Sequence, residues 1–250
     1  MKKVIFLLVA AALVAPAFAV TYDDNIVYRA GGSWFLSENP QPYVAGTAPV
    51  TSTTGWGIAG DVPMVGDVNG DGQDDIVVTR DAGNYGWYAG HTTSLAGVAV
   101  IGSQAFPGAD SSAAGFGTVA GNSGNFLADI TGNGADDAIT INTGFNWYCL
   151  PSGAGGLGTG GAVQGPKQFG LAGDQPIVGD WNGDGSKDIG VYRVAGGNIF
   201  TSFTAGGVIG AAAGGPMGQI GGFAGQDSIL VGNLNGDAFD DVVMVRQDGA

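Results

Sequence analysis

The chain has 250 residues, of which 22 are acidic and eight are basic, so its formal net charge is −14. This balance excludes a surface that attracts nucleic acid or anionic membranes, since both are negatively charged. Glycine is abundant at 49 residues, yet 44% of the chain is hydrophobic, which excludes a disordered low-complexity protein. A chain of this length can bury a sizeable core as one domain.

The first nineteen residues are predicted to be a secretory signal peptide (1–19), followed by a single domain over 20–250. Lys2 and Lys3 precede an apolar run over 4–14, and Ala17-Phe18-Ala19 forms a small-residue cleavage site. The run is too short to span a bilayer, and no transmembrane segment is expected in the mature chain. Two of the eight basic residues leave with the leader, so the mature net charge becomes −16. We expect a secreted protein, located in the periplasm, at the cell surface or outside the cell.

Copies of one acidic loop, Asp-x-Asn-Gly-Asp-Gly-x-x-Asp in its fullest form, divide the mature chain. Loops one to four cover 67–75, 129–137, 180–188 and 233–241, with starts 62, 51 and 53 residues apart. Oxygen-bearing side chains on alternate residues of a glycine-kinked loop can converge on one point, as a hard cation with oxygen ligands requires. A repeat of this length also indicates a repeat architecture.

Short β-rich strands recur in the same order around each loop. An apolar strand leads into the loop, a β-branched strand leaves it, and an aromatic strand follows after a turn. The predicted pre-loop strands are 63–65, 126–128, 176–178 and 229–231; the post-loop strands are 76–80, 138–142, 189–193 and 242–246, with a fifth copy at 24–29; the aromatic strands are 33–36, 86–88, 146–148 and 198–200. No window has a convincing helical period, so the chain is predicted to be all-β.

An aromatic-Gly-x-Ala-Gly signature completes the repeat, as in Trp56-Gly-Ile-Ala-Gly60 and Phe169-Gly-Leu-Ala-Gly173. A copy with one inserted residue starts at Phe116, and a shortened copy is Phe223-Ala-Gly225. Together with the loops, it resembles the FG-GAP or VCBS repeat family, which includes the calcium-binding blades of integrin α-subunit propellers. The resemblance covers essentially the whole mature chain. It implies a β-propeller with blades of roughly 50–60 residues, in which each loop joins two neighbouring strands and coordinates one Ca²⁺. Four blades are expected; an incomplete ring of five is the alternative, because the post-loop strand has a fifth copy.

The expected ligands are the first, third, fifth, seventh and ninth residues of each loop, with the main-chain carbonyl acting at the seventh. They are Asp67, Asn69, Asp71, Gln73 and Asp75 in loop one; Asp129, Thr131, Asn133, Ala135 and Asp137 in loop two; Asp180, Asn182, Asp184, Ser186 and Asp188 in loop three; and Asn233, Asn235, Asp237, Phe239 and Asp241 in loop four. Loops one and three each offer three carboxylates, so they are predicted to be the two strong Ca²⁺ sites.

Loops two and four are predicted to bind calcium more weakly, because each offers two carboxylates among these positions. Ala238 also replaces the second glycine of loop four, which makes a positive-φ turn harder. The alternative for both loops is an ordinary Asn- and Gly-rich turn that binds nothing. An EF-hand is excluded, because its acidic twelfth position is occupied here by residues of the post-loop strands: Val78, Thr140, Val191 and Met244.

Residues typical of catalytic sites are scarce. His91 is the only histidine and Glu38 the only glutamate, which leaves no glutamate pair for glycoside hydrolysis. His91 is expected to be a surface turn residue without a partner. The chain is therefore predicted to be a non-catalytic recognition or adhesion module for a glycan or an extracellular protein. A purely architectural module is the first alternative, and a propeller enzyme acting on polysaccharide is the second.

Other repeated or single residues carry structural expectations. Trp34, Trp87 and Trp147 are expected to pack between sheets rather than to stack on sugars. Cys149, the single cysteine, is expected to be a buried apolar residue. The last repeated position holds an arginine in four of the five copies of the post-loop strand and Asn142 in the other: Arg29, Arg80, Arg193 and Arg246. These arginines are expected to cap strands or to pair with loop aspartates; a ligand-binding ring of arginines is the alternative.

Overall fold

The computed structural model describes residues 25–29, 32–37, 50–53, 56–81, 85–95, 98–100, 111–117, 122–220 and 227–246. Every helix or strand element in these ranges is a β-strand, which confirms the all-β prediction. The predicted signal peptide and Glu38 lie outside the described residues. Within these ranges, no helix has the length and apolar character needed to cross a membrane.

Antiparallel sheets follow one another along the described chain, and we number the five main ones I to V. Sheet I contains β1 (Asn25–Arg29), β2 (Ser33–Ser37) and β3 (Val50–Thr53); sheet II contains β4 (Val62–Gly66), β5 (Asp75–Asp81), β6 (Tyr85–Gly90) and β9 (Ser111–Ala114), with a small hairpin of β7 (Thr93–Leu95) and β8 (Val98–Val100) between the last two; sheet III contains β10 (Asn122–Ala128), β11 (Asp137–Asn142), β12 (Asn146–Leu150) and β13 (Gln164–Gln168). Sheet IV contains β14 (Gln175–Gly179), β15 (Asp188–Arg193), β16 (Asn198–Ala205), β17 (Val208–Ala212) and β18 (Pro216–Gln219); sheet V contains β19 (Asp227–Gly232) and β20 (Asp241–Arg246).

The three predicted kinds of strand occur where they are expected and pair in the predicted order. Each loop connects an antiparallel pair of pre-loop and post-loop strands: β4 with β5, β10 with β11, β14 with β15, and β19 with β20. The aromatic strand pairs next, as β2, β6, β12 or β16. A further strand, which was not predicted from the sequence, pairs on its far side as β3, β9, β13 or β18.

The hydrophobic cores lie between successive sheets. Sheets I and II share a core that includes Trp34, Ile76 and Val78; sheets II and III share one that includes Val77, Trp87 and Ala138; sheets III and IV share one that includes Ile139, Trp147 and Ile189; sheets IV and V share one that includes Ile177, Tyr192 and Ile229. Sheets II, III and IV therefore use both faces to bury apolar surface, and chain order is also the packing order.

The pre-loop strands form the row along which the sheets meet. Strand β4 contacts β10, β10 contacts β14, and β14 contacts β19. A series of sheets stacked around their first strands is the arrangement that a propeller requires. Closure into a ring is not seen in the described ranges, so the propeller and its blade number remain predictions.

The repeated tryptophans pack as expected. Trp34, Trp87 and Trp147 are at most 1% exposed. Each indole Nε1 donates a hydrogen bond to the carbonyl of the aromatic residue that opens the next signature: Trp56 at 2.9 Å, Phe116 at 3.1 Å and Phe169 at 2.7 Å. These bonds satisfy the polar end of a buried ring and tie each aromatic strand to the segment that starts the next sheet. Cys149 is also buried, as predicted.

Candidate metal centre

The first residue of each loop organises the turn. In loop one, the two oxygens of Asp67 accept N–H bonds from Gly70 and Gly72, both at 2.7 Å. Asp129 binds Gly132 (2.7 Å) and Gly134 (2.8 Å) in the same way, and Asp180 binds Gly183 (2.6 Å) and Gly185 (2.8 Å). All six glycines have positive φ, a conformation that glycine adopts without steric cost. The glycines therefore point both N–H groups at one carboxylate.

The third and fifth residues of loops one and three support the same turn. Asn69 Oδ1 accepts a bond from the N–H of Asp71, and Asp71 Oδ1 accepts one from the N–H of Gln73, both at 2.9 Å. In loop three, Asn182 accepts from Asp184 and Asp184 accepts from Ser186, again at 2.9 Å. An ionised carboxylate has about four lone-pair sites, so these bonds leave it able to coordinate a cation.

The ninth residue is a buried carboxylate that joins its loop to a more distant segment. Asp75 accepts N–H bonds from Val68 (3.3 Å) and Thr92 (2.7 Å). Asp137 accepts them from Ile130 (3.0 Å) and Ser152 (2.7 Å), and Asp188 accepts them from Trp181 (3.1 Å) and Thr204 (2.6 Å). All three carboxylates are in residues that are fully buried.

The electrostatics of these ninth residues favour a positive partner. Burial raises the pKa of Asp75 to about 7, and the nearby Asp71 and Asp67 raise it as well. Burial also raises the pKa of Asp137 and of Asp188 to about 6. The ion pairs in the described part of the chain involve Asp61, Asp174 and Asp240, not these three residues. A cation bound beside them would stabilise their charged form.

Loop two keeps the backbone frame of loops one and three but holds two predicted ligands in other contacts. Thr131 Oγ1 donates to Asp137 Oδ1 at 3.4 Å. Asn133 Nδ2 donates to the Ser152 carbonyl at 2.8 Å, while its Oδ1 accepts a bond from the N–H of Ala135 at 2.8 Å. The frame is therefore present, with less negative charge to attract a cation.

Loop four has a different turn. Asn233 Oδ1 accepts a bond from Gly236 at 2.7 Å, but its Nδ2 donates to the main-chain carbonyl of Asp237. Gly236 has positive φ and Ala238 does not. The remaining predicted ligands keep local bonds: Asn235 accepts from Asp237 (2.9 Å), Asp237 from Phe239 (2.8 Å) and Asp241 from Leu234 (2.9 Å).

Consecutive loops are joined through their eighth residues, a position to which the sequence analysis assigns no role. The N–H of Asp136 donates to the carbonyl of Asp67 at 2.6 Å, and the N–H of Asp67 donates back to Asp136 Oδ2 at 3.1 Å. Asp240 and Asp180 exchange the same two bonds, at 2.8 and 2.7 Å. The N–H of Lys187 donates to the carbonyl of Asp129 at 2.8 Å. The first ligands of loops one, two and three are therefore each fixed by the following repeat.

These eighth residues also bring charge together between loops. Lys187 Nζ lies 2.8 Å from Asp240 Oδ2, so loops three and four are joined by an ion pair. The corresponding residues of loops one and two, Asp74 and Asp136, are both acidic. Burial, then the proximity of Asp74, raises the pKa of Asp136 to about 7. The eighth and ninth residues of every loop are Asp-Asp or Lys-Asp, and this repeated polar pair is the feature of the sequence that could have predicted these contacts.

The loop side chains offer oxygen atoms, the ligand type that hard cations prefer, although the described residues contain no ready-made cluster of three Asp, Glu, His or Cys side chains. In loops one and three, the oxygens of the first, third and fifth residues bind N–H groups of their own loop. The donor set is entirely oxygen, and the ninth carboxylate is buried and repelled by its neighbours. This chemistry suits Ca²⁺ better than a softer metal. Calcium binding remains a prediction for this arrangement.

The repeated arginines form ion pairs, but with aspartates outside the loops. Arg80 binds Asp61 through two bonds of 2.7 and 2.6 Å, and Arg193 binds Asp174 through bonds of 2.9 and 2.8 Å. Both aspartates directly follow the Ala-Gly of a signature. The prediction of a structural ion pair is confirmed for these two arginines. The prediction that their partners are loop aspartates is wrong.

His91 has a partner, contrary to the expectation. Its Nε2 lies 3.0 Å from Ser111 Oγ, which also accepts a bond from the N–H of Leu157 at 3.1 Å. His91 is partly buried rather than exposed. Ser111 therefore ties the segment after β6 of sheet II to the connection between β12 and β13 of sheet III, which is a structural role.

Comparisons with known proteins find no matching family model and no matching curated protein. Among solved structures, the chain is similar to a lectin from Agrocybe aegerita described as recognising non-reducing terminal N-acetylglucosamine. The similarity covers 88% of this chain and 70% of the lectin chain, with 14% identity and a TM-score of 0.49. At these values, the likeness carries no argument about what this chain binds.

Proposed function

We propose that this chain is a secreted, calcium-stabilised recognition module of the propeller type, without catalytic activity. The observation that supports it best is the common frame of loops one and three. In each, a glycine-shaped turn holds three carboxylates, and the buried ninth one is repelled by the others. Ca²⁺ would be held by the first, third, fifth and ninth side chains, with the carbonyl of Gln73 or Ser186.

Bound calcium would act as a cross-link between strands and between sheets. Each loop joins the pre-loop and post-loop strands, and its first ligand is bonded to the next loop wherever a following repeat is present. At a free calcium concentration ten-fold above Kd, each site would stabilise the fold by about 1.4 kcal/mol. Two such sites are a substantial part of the stability of an ordinary domain.

A recognition function is proposed over catalysis because the candidate catalytic residue is structurally engaged. The only histidine is held between sheets II and III by Ser111. The strongly acidic mature chain favours a neutral or cationic ligand, namely a neutral glycan or an extracellular protein, over an anionic one.

The calcium part is tested by thermal unfolding of residues 20–250 in millimolar Ca²⁺ and in excess EDTA, together with quantification of bound metal. We expect at least two Ca²⁺ per chain and a clearly lower Tm in EDTA. The double variant Asp71→Asn and Asp184→Asn should lose most of this difference, because Asn keeps the turn bond but removes the charge. Asp81→Asn, an exposed residue outside the loops, is the matched control. Equal Tm values with no bound metal would contradict the proposal.

The recognition part is tested by binding of the calcium-loaded protein to glycan and extracellular-protein arrays. Recognition predicts selective binding that weakens in EDTA. Absence of binding on both arrays, with the calcium effect on Tm intact, would favour the architectural alternative. Turnover of a polysaccharide that is abolished by an Asp substitution outside the loops would contradict the non-catalytic assignment.

A further inference from the structure

An arginine covers the aromatic ring of the neighbouring strand in three of the sheets. The guanidinium carbon lies 4.6 Å from the Phe35 ring centre in sheet I, 5.1 Å from that of Tyr88 in sheet II and 4.6 Å from that of Phe200 in sheet IV. The residues that supply it are Arg29, Arg80 and Arg193. In sheets II and IV, the Asp61 and Asp174 ion pairs hold the guanidinium in place. The ring faces are therefore occupied from within the chain.

Sheet III has the same aromatic position without the arginine. Tyr148 lies opposite Thr140, just as Tyr88 lies opposite Val78 and Phe200 opposite Val191. Two residues after Thr140, Asn142 stands where the other sheets have arginine. Its cross-strand neighbour on β10 is Asn122, where the ion-paired sheets have aspartate. This repeat has thus replaced an apolar residue, a cation and an anion by small neutral polar residues.

A cavity of about 310 Å³ lies at this position. Its lining residues are Gly115, Phe116, Gly117, Thr140, Asn142, Tyr148 and Val163. Val163 is 52% exposed and Thr140 only 5%, so the cavity leads from solvent to a buried hydroxyl-bearing residue. Its volume is at the lower end of the range for small-molecule sites, about 300 to 1,000 Å³.

The chemistry of the lining is neutral, with aromatic and polar groups together. None of these lining residues is acidic or basic. Asn142 Oδ1 accepts bonds from the N–H of Gly144 (3.0 Å), the N–H of Asn146 (3.1 Å) and Asn146 Nδ2 (3.1 Å), which fixes the amide in one orientation. A fixed amide and a hydroxyl beside an aromatic ring match a molecule with C–H groups on one face and hydroxyls at its edge.

We propose that this cavity binds one ring of a neutral saccharide, with Tyr148 as the stacking surface and Thr140 and Asn142 as its polar contacts. The inference rests on the recognition function proposed above and assigns its ligand class and position. A charged sugar is disfavoured, since none of the described lining residues carries a compensating charge and the chain is strongly acidic. Sheets I, II and IV would not bind at their equivalent positions, because arginine occupies the ring face.

The test uses the mature calcium-loaded protein and the methyl glycosides of glucose, galactose, mannose and N-acetylglucosamine as probes. Binding is measured by saturation-transfer NMR and calorimetry. We expect at least one glycoside to bind the wild-type chain. Tyr148→Ala should weaken it by about ten-fold through loss of stacking, and Tyr148→Phe should keep most of the affinity. Tyr88→Ala is the matched control and should leave the affinity unchanged.

A second variant refills the cavity as the other sheets do. Asn122→Asp combined with Asn142→Arg restores the residue types of sheets II and IV and should abolish glycoside binding. Its Tm in calcium should stay within a few degrees of the wild-type value, because the new Arg–Asp ion pair offsets the turn bonds of Asn142 that are lost. A Tm in this range separates loss of the site from loss of the fold. Absence of binding by the wild type, or unchanged affinity in this variant, would overturn the inference. Either result leaves the calcium effect on Tm as a separate test of the proposed function.

Discussion

Loops three and four lie side by side and are joined by two hydrogen bonds between Asp180 and Asp240, yet their turns differ. Asp180 accepts N–H bonds from both of its loop glycines, one on each oxygen. Asn233 accepts a bond only from the N–H of the first loop glycine, Gly236, and its amide nitrogen donates to the carbonyl of Asp237. A carboxylate at the first position and a glycine at the sixth therefore act together.

The physical link between these two positions is the sign of φ. Gly185, with φ of +89°, directs its N–H to the second carboxylate oxygen. Ala238 does not adopt positive φ, because a Cβ is disfavoured there. An amide such as Asn233 can offer only one oxygen, so it tolerates the loss of the second N–H. Loop four is internally consistent as a turn and is predicted to be the weaker cation site.

The largest expected effect is on the pH dependence of stability without calcium. The folded-state pKa values of Asp75, Asp137 and Asp188 lie above the ordinary value of 3.8. Between pH 4 and about 7 the folded chain thus binds more protons than the unfolded chain, so stability should fall as pH rises. Chemical unfolding in EDTA across this range is the measurement. A rise with pH in EDTA would contradict the assignment; saturating Ca²⁺, which binds the charged form, should reduce or reverse the fall.

Replacing the ninth residue by alanine should destabilise the protein more in loop three than in loop four. Asp188→Ala leaves the N–H groups of Trp181 and Thr204 without their acceptor in a buried site, at a cost of about 3 kcal/mol even in EDTA. Asp241→Ala removes one bond to Leu234 at a more exposed position and should cost about 1 kcal/mol. Urea unfolding of both variants gives the comparison. Equal losses would mean that the two closing aspartates are equivalent.

A smaller effect is expected at the sixth position, where positive φ favours glycine. Gly185→Ala should cost about 1 to 2 kcal/mol and weaken calcium binding, although nothing lies within 4 Å of the added Cβ. Gly215→Ala also meets nothing within 4 Å and has no positive φ, so it is the matched control. A neutral result at Gly185 would remove strain as the explanation for loop four.

The smallest effect on stability, and the sharpest on metal content, is expected from rebuilding loop four. Asn233→Asp together with Ala238→Gly gives it the first and sixth residues of loop three. Stability in EDTA should change by less than about 1 kcal/mol, whereas bound Ca²⁺ should rise by one per chain. Calorimetric titration of this variant beside wild type measures the stoichiometry. An unchanged count would show that other positions limit loop four.

Local patterns predicted the inner part of each sheet. The strands on both sides of the loops and the aromatic strands combine β-branched or aromatic runs with Gly and Asp boundaries, and all occur at their predicted places. Burial of Trp34, Trp87 and Trp147 followed from their size and spacing. These features depend on residues within one repeat, which is why the sequence alone was sufficient.

Features formed between distant segments were not predictable in the same way. The outer strands β13 and β18 expose most of their residues, so they lack the apolar alternation that marks a half-buried strand. The Arg80–Asp61 pair spans 19 positions and the bond from Asp67 to Asp136 spans 69. The cavity beside Tyr148 becomes visible only when Asn142 is compared with arginines in other sheets.

The placement of the cores between sheets has a consequence for how the molecule can be divided. Trp147 on β12 packs with Val191 on β15, so a cut between β13 and β14 separates two halves of one core. A fragment consisting of a single sequence repeat would contain half of two cores and the whole of neither. We therefore expect the unit of cooperative unfolding to be the junction between two neighbouring sheets, which draws its residues from two consecutive sequence repeats.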